Sequence, residues 1–119
     1  MMDASRVQNE IINDTVRNAN PILSLLMNGE ANTFTRSQLE GLLTTEMERT
    51  QDALERLEKY RQPDHLEDEI TQTFQALANY KSSLLFLREK IKTDADYAEE
   101  EKQFIAALNT LQSSHFVKP

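Results

Sequence analysis

Apolar residues recur along most of this chain in alternating steps of three and four. The longest such run lies between His65 and Lys92, with Leu66, Ile70, Leu77, Tyr80, Leu84, Leu87 and Ile91 in one series and Thr73 as its single off-type member. Neither Pro nor Gly interrupts it. This spacing is one face of an α-helix, sustained here for about four heptads. It predicts a helix over 65–92 around which the rest of the chain packs.

The same reading extends to both sides. Val7, Ile11, Ile12, Val16 and Ala19 share one side of a helix over 3–28. Pro21 cannot donate to the helix ladder and disfavours helical geometry at Asn20, so this helix is expected to be bent or broken near 20–21. Ile22, Leu23, Leu25, Leu26 and Met27 are apolar nearly all round, which predicts burial on more than one side. Asn28-Gly29 supplies a helix stop. Glu30 to Thr35 reads as a polar loop containing Phe34. Thr35 and Gln38 have capping-box spacing, with Phe34 and Leu39 as the flanking staple. The next helix is expected over 36–61, with Leu39, Leu42, Leu43, Met47, Ala53, Leu54, Leu57 and Tyr60 inward. Gly41 either weakens its start, by about 1 kcal/mol relative to Ala, or admits a close neighbour.

Gln62-Pro63-Asp64 is a tight connection, and Asp64 with Glu67 caps the 65–92 helix. Acidic residues crowd its first turn, and Arg88, Lys90 and Lys92 its last, as the helix dipole favours. Thr93, Asp94 and Asp96 are competent N-caps for a last helix over 95–113, although no Gly or Pro enforces a break there. Its inward residues are Tyr97, Phe104, Ile105, Leu108 and Leu111. Residues 114–119 form a tail. The three long segments are each about 40 Å at 1.5 Å per residue. Short connections make them antiparallel neighbours, and wide apolar faces favour a compact arrangement over a two-helix coiled-coil hairpin. The fold expected is all-α, an antiparallel up-down bundle of about four helices in a single domain spanning 1–119.

Composition supports this. Gly and Pro number two and three, and Val occurs only at positions 7, 16 and 117. A sheet would want more β-branched residues. Net charge is −7, from 20 acidic and 13 basic residues. The basic residues are scattered among acids, so neither a phosphate-backbone partner nor an anionic membrane is expected. The chain has no cysteine, which excludes disulfides, thiolate metal sites and cysteine nucleophiles. With no signal peptide and no apolar run long enough to span a bilayer, a cytoplasmic location is expected.

Candidate chemistry is sparse. His65 and His115 are the only side chains titrating near neutrality. His65 precedes Glu69 by one turn, but one His and one carboxylate make half a metal site. No nucleophile elbow or phosphate-cradling Gly loop occurs. Glu99-Glu100-Glu101 reads as a solvated face. No enzyme activity, metal or cofactor is therefore expected. The expected role is a small acidic protein–protein interaction module, such as a chaperone, adaptor or regulator, binding through an apolar helix face. The alternatives are a homodimeric assembly subunit and an acidic inhibitor. The expected contact residues are Ile22, Leu23, Leu26, Met27 and Phe34, joined by Phe116 and Val117 of the tail.

Overall fold

A computed structural model describes residues 4–28, 33–60, 69–93 and 95–113. It contains four helices: α1 (Ala4–Asn28), α2 (Thr33–Glu58), α3 (Glu69–Lys92) and α4 (Ala98–Ser113). They form the up-down bundle that the apolar spacing predicts, with extents of 47 × 27 × 22 Å. Consecutive helices are neighbours, and α2–α3 and α3–α4 pack most closely. Helix α1 lies mainly on α2 and only lightly on α4.

One buried row on each helix builds the core. On α3 the row is Ile70, Thr73, Leu77, Tyr80, Leu84, Leu87 and Ile91, and every member is buried. On α2 it is Leu39, Leu43, Glu46, Thr50, Ala53 and Leu57, and on α4 Phe104, Leu108 and Leu111. Helix α1 contributes Ile11, Ile12, Thr15, Ala19, Ile22 and Leu26. Each fully buried Leu or Ile stabilises the fold by about 1.5–3 kcal/mol relative to leaving it in water. The off-type Thr73 is accounted for: Gln8 of α1 donates to its hydroxyl at 2.6 Å, so two buried polar groups satisfy each other.

Helix α1 is continuous through Pro21, so of the bend or break expected there the break does not occur. Proline removes the bond to the carbonyl four residues back, at Arg17. Arg17 and Pro21 both lie on the exposed face, so the carbonyl that loses its partner is on the solvent side of the helix. Helix α2 begins at Thr33, so Thr35 is its third residue and is buried, not an N-cap, and Phe34 belongs to the helix instead of a loop. The polar spacing at Thr35 and Gln38 resembles a cap, but the helix already runs through both. Gly41 is exposed, and a Cβ built there meets nothing within 4 Å, so it admits no close neighbour. The expected connection at 61–68, with Pro63, the Asp64/Glu67 cap and His65, lies outside the described residues.

The break between α3 and α4 is real, and a third helix helps enforce it. Arg36 of α2 donates to the carbonyls of Ile91 (3.3 Å) and Ala95 (3.5 Å). Its guanidinium lies 5.3 Å from the centre of the Tyr97 ring, within cation–π range. The Ala95 amide closes back onto the Lys90 carbonyl at 2.9 Å, a six-residue closure of the Schellman kind. Asp96 then caps α4, its Oδ1 accepting from the Ala98 amide at 3.3 Å. Of the three caps the sequence offers, Asp96 is used.

Candidate functional site

The densest buried polar cluster sits at mid-height of the bundle. Glu46 of α2 is only 3% exposed. Arg49, one turn later, donates to it through Nε at 2.6 Å and Nη2 at 3.1 Å, while Tyr80 of α3 donates its hydroxyl to Oε2 at 2.8 Å. The same Arg49 Nη2 reaches Thr15 of α1 at 2.8 Å, and Thr15 donates to the Ile11 carbonyl. The Tyr80 ring lies 5.7 Å from Phe104 of α4, tilted by 33°. Residues from all four helices thus meet here. Burial, reinforced by the Glu46 carboxylate, pushes the Tyr80 hydroxyl far above the ordinary phenol range. Tyr80 therefore stays a donor at any ordinary pH. The Glu46 oxygens are occupied and out of water, so the cluster ties helices together.

Sequence reading passed over Glu46, yet a signal existed. The row Leu39, Leu43, Ala53, Leu57 keeps a three-four alternation only if positions 46 and 50 are counted, and these hold Glu46 and Thr50. Both are buried. Among the described residues no group of three or more His, Asp or Glu is placed to hold a metal, and no helix is long and apolar enough to cross a membrane.

The surface holds the remaining candidates. Of the expected contact residues, Ile22 and Leu26 are buried within the chain itself. They pack into the core because α1 contributes a full row to it. Leu23 is partly buried, and Met27 is 75% exposed. The Phe34 side chain, Phe116 and Val117 lie outside the described residues, as does His115. Leu85 (38% exposed) and Phe86 (55%), on the outer side of α3, are exposed large apolar residues as well. An open groove of about 480 Å³ runs along α1 beside α4, lined by Ile12, Asn13, Val16, Arg17, Asn20 and Gln112. It exists because α1 and α4 pack only lightly. Comparison of the chain with protein-family models, curated proteins and solved structures finds no match.

Proposed function

We propose that this protein is a small non-catalytic interaction module, in the manner of a chaperone, adaptor or regulator, and that it binds through the outer face of the second half of α1. One observation carries the reading. Residues 18–28 contain no charged side chain, in a chain of which 28% is charged. This stretch nonetheless exposes Met27 and leaves Leu23 and Leu25 only partly covered. Depletion of charge around exposed apolar residues distinguishes interface cores from ordinary surface.

Two other stretches, 70–80 and 103–113, also lack charge. Their fully exposed residues are small or amide-bearing, such as Gln72, Asn79, Gln103 and Asn109. Phe86 and Leu85 are exposed apolar residues, but Lys81, Arg88, Glu89 and Lys90 surround them in sequence. Among the described residues the α1 face alone combines both features.

Affinity capture from the native host, followed by mass spectrometry, identifies the partner. Leu23→Asp and Met27→Asp are then expected to weaken its binding by about tenfold or more, equivalent to about 1.4 kcal/mol, with the helical circular dichroism unchanged. Phe86→Asp serves as the control. Binding that is indifferent to both α1 substitutions but lost in the control moves the site to α3.

A further inference from the structure

We infer that the occupant of this α1 face is a second copy of the chain, docked antiparallel about Asn20. The inference rests on the preceding reading of α1 as the contact surface and names its partner. The outward stripe of α1 is Asn13, Val16, Asn20, Leu23 and Met27, spaced by three, four, three and four residues. Asn13, Asn20 and Met27 are exposed, and Val16 and Leu23 are partly buried. The first three of the stripe also line the open groove beside α4.

Counted from Asn20, the stripe is close to a palindrome, with members at −7, −4, 0, +3 and +7. A two-fold axis through Asn20 therefore sets Val16 against Leu23 of the second copy and Asn13 against its Met27. Asn20 meets itself. A carboxamide carries both donor and acceptor, so two of them satisfy each other across such an axis. Polar asparagine at one such position also fixes register between paired helices, at some cost in stability.

Charge opposes contact between two copies least where a face carries none. Two copies of a chain carrying −7 repel each other, and an isologous contact sets each patch against itself. The stripe carries no charge, and the adjacent Arg17 lies 3.7 Å from its own Asp14. From Asn13 to Met27 the contact is about 21 Å long. A single pair of helices over that length falls at the small end of specific interfaces, so the dimer is a dissociating one.

The absence of cysteine gives a direct test. Asn20→Cys and Phe86→Cys are made as separate single-cysteine variants at exposed positions. A disulfide needs Cβ atoms within about 3.5–4.5 Å, which a two-fold at Asn20 supplies. Mild oxidation is expected to convert Asn20→Cys to a covalent dimer while Phe86→Cys stays monomeric. Sedimentation equilibrium of the unmodified chain is expected to show a monomer–dimer equilibrium that Leu23→Asp and Met27→Asp each shift about tenfold towards monomer. A parent chain that remains monomeric at the highest soluble concentration overturns the second-copy inference alone, because the captured-partner measurement still judges the α1 face. Faster cross-linking through Phe86→Cys, or a dimer untouched by both aspartates, overturns it as well by placing the contact elsewhere.

Discussion

Tyr80 joins α3 to two other helices through one side chain. Its ring packs on Phe104, and its hydroxyl closes the Glu46–Arg49 pair from the opposite helix. Removing that hydroxyl leaves a buried carboxylate oxygen one donor short, which costs about 1–3 kcal/mol. Tyr80→Phe should therefore lower the melting temperature at neutral pH. The alkaline behaviour follows from the raised phenol. In the unfolded chain Tyr80 ionises near the ordinary phenol value of about 10, whereas in the folded chain it keeps its proton to higher pH. The contribution is fully present below about pH 10 and is lost progressively as pH rises above it. Melting curves of the parent chain and Tyr80→Phe between pH 8 and pH 11 (about two units below and one above the ordinary phenol value) should converge at the alkaline end. A constant gap across that range counts against the buried phenol as its cause.

At the scale of the helix, Gly41 and Pro21 carry different lessons. Both sit inside helices and both face water. Gly41 has open space around a prospective Cβ, so nothing in the packing requires glycine there. Gly41→Ala should stabilise the protein by about 0.5–1 kcal/mol, by lowering the backbone entropy lost on folding. Urea titration measures this as a higher midpoint at unchanged slope. A drop in the midpoint would mean that Gly41 meets a neighbour the monomer does not contain. Pro21 illustrates how a local preference is overridden. The buried row through Ala19, Ile22 and Leu26 continues past it, and the lost hydrogen bond falls on the solvent side. Sequence rules flagged the site correctly as unfavourable, but the energy that resolves it comes from core contacts of neighbouring turns.

For the molecule as a whole, stability centres on α3, which has close neighbours on two sides. Leu84 is fully buried in its row. Leu84→Ala should cost about 2–5 kcal/mol, a large fraction of the total for a domain this size. Thermal unfolding followed at 222 nm decides the matter. A melting point within a degree or two of the parent would show that α3 does not centre the core. Helix α1 is the least embraced of the four, which is why the open groove and the exposed stripe both belong to it.

The amino-acid pattern by itself determined that the chain is helical, that it makes four helices, and most of the inward residues of α3 and α4. Ile70, Leu77, Leu84, Leu87, Ile91, Phe104, Leu108 and Leu111 were legible because burial on a helix imposes a period that sequence displays directly. Tertiary structure alone decided the rest. The burial of Glu46 depends on Tyr80 of α3, a partner that no pattern within α2 contains. Ile22 and Leu26 belong to the core and Met27 to the surface, a division that an all-round apolar segment does not announce. The end of α3 is held by Arg36, more than 50 residues away in the chain, and no local rule contains it. Periodicity is a property of one helix, whereas capping from afar, buried ion pairs and exposed stripes are properties of how helices meet.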